Sequence, residues 1–280
     1  METYSREVRS MASIVLNGIR VNFQQWNEGA EQTIVLLHGF TGSTKTWQHI
    51  VNQLPTSIHV VAVDLIGHGQ TSAPKEVQSY LMDAHIDLLE QLFERLQLQQ
   101  FTLLGYSMGG RVALSYAVRY PHRFNALILE SASPGLAQSE ERAARKLADD
   151  ALAKKIEANG ITAFVKQWEN ISLFATQKGL SQEIQQEIRA ERLAQTTTGL
   201  ANSLRGMGTG MMPSLWHKLH ELKMPVTLIT GLLDTKFEQL AVKMLEHLQD
   251  ATHISVNGVG HAIHVENPVE FATIVKERLN

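Results

Sequence analysis

The chain has 280 residues, 44% of them hydrophobic and 19% charged, enough to bury a sizeable core within one globular unit. Its formal net charge of -3 offers no basic face to nucleic acid, and no run reaches the roughly 20 apolar residues of a membrane span. The absence of cysteine excludes disulfides, thiolate metal sites and cysteine nucleophiles together.

The opening METYSREVRS mixes both charge signs and has no apolar stretch ahead of a small-residue cleavage site, so a cytoplasmic protein is expected; Met11 is an alternative start. Short β-branched runs then predict strands at 14–16, 21–24 and 33–37. The third leads into His38-Gly39-Phe40, with Gly42 close behind, and a helix is expected over 44–54. A strand at 59–63 runs into Asp64-Leu65-Ile66-Gly67-His68-Gly69, a glycine-paced turn in which His68 reads as scaffold. After a helix at 77–96, the apolar strand 101–104 enters Gly105-Tyr106-Ser107-Met108-Gly109 and a helix over 108–120, followed by a strand at 126–129.

Strand-like runs then stop between about 133 and 222, where SEERAARKLADDALAKKIEANG, ITAFVKQWEN and SQEIQQEIRAERLAQ carry helical residues. The alternation resumes with a strand at 226–229, a helix at 237–248, a strand at 253–256 and a last helix at 268–279. Alternating strands and helices predict an α/β protein with a mostly parallel, eight-stranded sheet covered on both faces. Residues 1–132 and 223–280 form its core. The helical segment 133–222, inserted after the sixth strand, is expected to cap the sheet's carboxyl edge, where ligands bind in open α/β folds.

G-x-S-x-G between a strand and a helix is the nucleophile turn of the α/β-hydrolase fold, which lifts a serine hydroxyl above the sheet at a helix N-terminus. Serine is a weak nucleophile and a weak base, so a histidine must take its proton and a carboxylate must orient the histidine, in the chain order Ser, acid, His. Asp234, in the loop past strand 226–229, is the best acid. His261, in the glycine-rich loop past strand 253–256, is the base, with His264 its closest competitor; Glu266 is expected to open the last helix. The amides of Phe40 and Met108 would form the oxyanion hole, with His38 bracing its loop. His49, His59, His122 and His217 read as ordinary surface or half-buried residues. No H-E-x-x-H and no dinucleotide fingerprint occurs, so neither metal nor organic cofactor is expected.

The motifs HGF, GYSMGGR and the late Asp and Gly-His are general to the fold. The cap adds SPGL with EERAAR (133–145), FVKQWEN (164–170) and GLANSLRGMGTG (199–210), and LLDTKF surrounds Asp234. With these the chain resembles 2-succinyl-6-hydroxy-2,4-cyclohexadiene-1-carboxylate synthase, the α/β-hydrolase-like lyase of menaquinone biosynthesis, over nearly its whole length. It departs from that family at Ser172, where a proline is expected, and at Met212, where a polar residue is common.

The resemblance implies elimination of pyruvate from a cyclohexene that bears a succinyl ketone, an enolpyruvyl ether and a ring carboxylate. The Ser107–His261–Asp234 triad would act there as a base rather than as an acylated nucleophile. A small-molecule substrate with three carboxylates calls for cations, arginine above all, because its fork pairs a carboxylate through two hydrogen bonds. The implied contacts are Arg111, one turn past Ser107, with Arg145, Tyr106 and Trp168. Arg142, Arg192 and Arg205 are open between such contacts and helix-surface charges paired with Glu140, Glu141, Glu187 and Glu191, and Lys236 is open as well. The rival reading is a serine hydrolase of esters or carbon–carbon bonds with the same triad. Dehalogenase and epoxide-hydrolase chemistry would place Asp where Ser107 stands, and a non-catalytic binding protein would not keep the triad.

Overall fold

The computed structural model describes residues 10–279, so the stretch read above for a leader lies, up to residue 9, outside the described residues. Eight strands, β1 (Ser10–Leu16), β2 (Ile19–Trp26), β3 (Gln32–Leu37), β4 (Ile58–Val63), β5 (Phe101–Tyr106), β6 (Phe124–Glu130), β7 (Val226–Gly231) and β8 (Ala251–Val256), form one sheet in the order β1-β2-β4-β3-β5-β6-β7-β8. β2 pairs antiparallel with β1 and β4, and every other neighbouring pair is parallel.

Parallel neighbours need crossovers, which helices supply. The main helices are α1 (Met82–Arg95), α2 (Met108–Arg119), α3 (Ser139–Trp168), α4 (Gln182–Leu193), α5 (Thr197–Met207), α6 (Thr235–Leu245) and α7 (Pro268–Leu279). Because side chains alternate across a strand, Ile34 and Leu36 of β3 join Trp47, Ile50 and Phe271 on one face. Val35 and Leu37 join Phe93, Val112 and Tyr116 on the other. Burial on both faces is why the parallel strands read as unbroken apolar runs.

Two predicted helices are shorter than their sequence pattern. The segment 44–54 holds only a 3-10 turn, Thr44–Trp47, and one α-turn, Gln48–Val51, ahead of Pro55, which disfavours helix at the residue before it. The segment 77–96 splits at Leu81, whose extended backbone (φ -61, ψ 151) separates the turn Val77–Tyr80 from α1.

The helical cap lies between β6 and β7. Gly160 (φ 77, ψ 173) interrupts α3, so the two predicted segments there become two arms of one bent element. A 3-10 stretch, Ser172–Gly179, leads to α4. The helix α5 was not legible locally, since T-T-T-G is poor helix sequence. Burial of Leu200, Ala201, Leu204 and Met207 and an N-cap at Thr196, whose hydroxyl accepts the Gly199 N–H at 3.0 Å, form it instead. α3 and α5 share a small apolar cluster that includes Ile156, Phe164 and Leu200. No helix among the described residues is long and apolar enough to cross a membrane.

The cap seats on the core where Gly199 of α5 lies against Gly67: a Cβ at Gly199 would overlap the Gly67 carbonyl oxygen. We therefore expect Gly199→Val to cost about 1–3 kcal/mol through overpacking, while Gly179→Ala, with open space around it, costs nothing comparable. Thermal melts of the two variants beside the wild type check this.

Candidate active site

Ser107 stands between β5 and α2 with a left-handed backbone (φ 50, ψ -103) that a serine adopts only at a cost. The surroundings hold it there: its N–H donates to the Glu130 carbonyl at 2.8 Å, and its own carbonyl accepts the Arg111 N–H at 3.1 Å. Tight passage of α2 over β3 requires glycine at 109, because a Cβ there would overlap the Leu37 carbonyl. The spacing of glycines around the serine thus reflects the room left between strand and helix.

The loops after β7 and β8 bring the other two groups. His261 Nε2 lies 2.9 Å from Ser107 Oγ, and His261 Nδ1 lies 2.6 Å from Asp234 Oδ2. Asp234 and His261 are both buried, and Asp234 also caps α6 through its other oxygen, 3.4 Å from the Phe237 N–H. With Nδ1–H donated to the carboxylate, Nε2 is left free to accept the serine proton. His264, the competitor, turns away from Ser107 toward Glu130 and Thr46.

Glu266 does not open the last helix. α7 begins at Pro268, with Glu270 as its first-turn acid, and the Glu266 carboxylate instead accepts the N–H groups of Gly260 (2.7 Å) and Ala262 (3.3 Å), on both sides of His261. It braces the histidine loop. The carbonyl edge of β3 delivers Phe40, and neither its amide nor that of Met108 makes a backbone hydrogen bond among the described residues, so both donors are free.

A cavity of about 700 Å³ joins Phe40, Ser107 and His261 of the core to Leu152, Trp168 and Phe174 of the cap. Arg111, Arg145, Lys236 and Lys243 bring four cations to its lining, against Glu141 and Glu246. Arg111 is half-buried and its side chain forms no ion pair among the described residues, the guanidinium donating to the Met207 carbonyl at 2.6 Å. Burial and the neighbouring Arg145 pull its pKa down to about 10, so it keeps its charge at neutral pH. Arg145 is held by Asp149 at 2.7 Å.

Tyr106 also lines the cavity. Burial, helped by the nearby Glu130 carboxylate, raises its hydroxyl well above the usual tyrosine range, so it stays a neutral donor. Trp168 stacks on Phe164 and presents a buried indole N–H with no partner among the described residues.

The remaining arginines pair with none of the four glutamates named for them. Arg142 donates to the Leu136 and Ala137 carbonyls, and Arg205 pairs with Asp150 and Glu157 on α3. Arg192 is buried, bonded to Gln177 at 2.9 Å and stacked over Phe174 at 4.5 Å, outside the lining of the catalytic cavity. Lys236 reaches that lining, its ammonium 5.6 Å from the Phe237 ring centre, and Ser172 and Met212 do not. Phe174 and Phe237, whose rings lie 6.3 and 4.6 Å from the His261 ring, were missed, though Phe237 closes the LLDTKF segment already singled out and Phe174 stands two residues past Ser172.

A family model described as alpha/beta hydrolase fold matches residues 32–268. A protein of Bacillus subtilis (strain 168), provisionally named 2-succinyl-6-hydroxy-2,4-cyclohexadiene-1-carboxylate synthase, is 42% identical over 95% of this chain and 96% of its own. The enzyme of that name from Citrobacter koseri is 30% identical over 84% of this chain and 88% of its own. The solved structure of MenH from S. aureus superposes with a TM-score of 0.88 at 38% identity, covering 93% of this chain and 99% of that one.

Three buried imidazoles, His38 of the loop after β3 together with His68 and His85, give this region an acid sensitivity. Burial lowers His38 and His85 to about 4 and, with His38 and His85 close by, His68 to about 3. His38 ties the loop, its Nδ1–H donating to the Gly39 carbonyl (2.8 Å) and its Nε2 accepting the Leu65 N–H (3.0 Å). Above pH 6.5 both folded and unfolded chains hold these rings neutral. Below it only the unfolded chain takes up protons, so stability falls as pH drops from about 6.5 toward about 4, by on the order of a few kcal/mol per ring. Melting temperature against pH should therefore fall across that window, and His85→Leu should flatten the fall.

Proposed function

The chain belongs to the α/β-hydrolase-fold family and, within it, to the 2-succinyl-6-hydroxy-2,4-cyclohexadiene-1-carboxylate synthases, and from that premise we propose how its residues carry out the reaction. It is a lyase of menaquinone biosynthesis that releases pyruvate from 2-succinyl-5-enolpyruvyl-6-hydroxy-3-cyclohexene-1-carboxylate. Ser107 Oγ removes the proton on the ring carbon beside the succinyl ketone, while its own proton passes to His261 Nε2; Asp234 stabilises the imidazolium. The electron pair moves onto the ketone oxygen, where the Phe40 and Met108 amides receive the charge. Its return through the ring breaks the carbon–oxygen bond to the enolpyruvyl group, which leaves as the enolate and takes up the proton held by His261, becoming pyruvate and restoring the neutral imidazole. No water is consumed.

The observation that carries this reading is Arg111: a half-buried cation with no ion pair among the described residues, one helical turn from Ser107, in a cavity that also holds Arg145, Lys236 and Lys243. Uncompensated buried charge is expensive and is retained where a ligand supplies the counter-charge. A tricarboxylate does so; a neutral ester does not. Arg145 supplies a second anion contact, with the Tyr106 hydroxyl and Trp168 indole as neutral donors lining the same cavity.

Ser107→Ala and His261→Ala should each cut pyruvate release from the enolpyruvyl precursor by about 10²–10⁴-fold, and the double variant should lose little more, because the two act as a unit. A folded Ser107→Ala enzyme with near-normal turnover would remove the serine from the mechanism. At the second site, Arg111→Ala should cost about 2–5 kcal/mol in kcat/KM, as expected when one partner of a desolvated charge pair is lost. Arg111→Lys, which restores charge without the fork, should fall between. A parallel panel of nitrophenyl esters tests the hydrolase alternative, since preference for them by the wild type would replace the lyase.

A further inference from the structure

One buried acid–imidazole pair takes no part in the mechanism above. Glu130, the last residue of β6, is wholly buried; its Oε1 accepts the backbone N–H of His264 at 3.0 Å and lies 2.9 Å from the ring Nδ1. The other ring nitrogen of His264 meets Thr46 Oγ at 2.8 Å. Glu130 Oε2 is buried without a hydrogen-bond partner among the described residues. The Tyr106 ring lies 4.6 Å from the His264 ring and 5.4 Å from the His261 ring, so it packs against both imidazoles.

Two short connections join this pair to the triad. The backbone carbonyl of Glu130 accepts the Ser107 N–H at 2.8 Å, and His264 follows His261 by three residues. One residue therefore holds the serine by its backbone and the histidine loop by its side chain. Taking a carboxylate and an imidazole out of water is costly, and an apolar pair of similar volume is as a rule no less stable. An orphaned carboxylate oxygen adds to the cost. Stability alone does not account for an acid here.

We propose that Glu130 and His264 are positioning residues for the triad, a buried clamp that ties the Ser107 turn to the His261 loop and so fixes the separation of Ser107 Oγ and His261 Nε2. The clamp rests on the reading of Ser107 and His261 as the reacting pair. It acts on the transition from bound substrate to product rather than on binding, since Arg111 and Arg145, which take the carboxylates, lie on other elements.

The decisive variant replaces both partners with apolar residues of similar length, Glu130→Met with His264→Leu, beside the milder Glu130→Gln, which keeps an acceptor oxygen for His264. Three quantities are read: kcat and KM for pyruvate release from the enolpyruvyl precursor, the rate at which a fluorophosphonate modifies Ser107, and the melting temperature. The double variant should melt at or above the wild type while kcat falls about 10- to 100-fold and KM stays within about twofold, the size of loss a misplaced reacting group produces. Phosphonylation should slow in parallel, and Glu130→Gln should fall between. The clamp is overturned if the folded double variant keeps wild-type kcat and phosphonylation, or if its loss lies in KM alone; should the double variant not fold, Glu130→Gln decides by the same two criteria. If the wild type released no pyruvate yet phosphonylation still depended on Glu130, the lyase chemistry would fall and the clamp would stand.

Discussion

The left-handed backbone at Ser107 is the constraint from which the rest of the site follows. A serine at φ 50 is stable only where its neighbours over-determine it. The bond from its N–H to Glu130, the close passage of α2 over the β3 edge and the start of α2 at Met108 together do so. Holding the hydroxyl above the sheet leaves the Met108 amide open at the helix N-terminus, where backbone donors face a developing negative charge. Parallel order then brings the other groups to the same edge. β3, β5, β6, β7 and β8 all point their carboxyl ends toward one side, so Phe40, Ser107, Glu130, Asp234 and His261 arrive from separate strands without any long excursion.

That arrangement says how a proton can be moved, not from what. Hydrolases and this lyase share the row of serine, histidine and acid, and what separates them is the lining of the cavity. Four cations line it against two carboxylates, and although Asp149 already pairs Arg145 the balance favours an anion, most of all at the desolvated Arg111. Chemistry follows from the same difference. A substrate fixed by its carboxylates presents a C–H beside a ketone to the serine rather than an ester carbonyl, and a base that is already correctly placed needs no covalent intermediate.

The fold was legible because the parallel core states its periodicity plainly: all eight strands were found, each extended in the structure by one to four residues at the ends where apolar pattern fades. The row Ser107, His261, Asp234 was legible from order and spacing, since each lies in a loop immediately past a strand. What escaped notice depends on contacts distant in sequence. α5 is helical because Leu200 and Leu204 are buried, although its own residues favour a turn. Glu266 looked like a helix-opening acid until its two amide partners, inside the His261 loop, were in view. Arg205 could not be matched to Asp150 and Glu157 from sequence, because the pairing crosses from α5 to α3 rather than following a single helix. Local patterns reveal elements; ion pairs between elements are set by packing.

Arg111 and Glu130, each joined to Ser107 by a backbone hydrogen bond, are handled in opposite ways. Arg111 has no ion pair among the described residues, and under the proposed function a substrate carboxylate supplies the counter-charge and offsets its desolvation. Glu130 is paired internally with His264 through one carboxylate oxygen and is sealed from water. A charge that must recognise something has to be reachable, and a charge that must hold something has to be inaccessible. With the first on the helix after Ser107 and the second on the strand alongside β5, the proposed function and the proposed clamp draw on separate residues, so that binding energy and triad geometry can be tuned independently, as a base needing both a trianionic ligand and a fixed hydrogen-bond length requires.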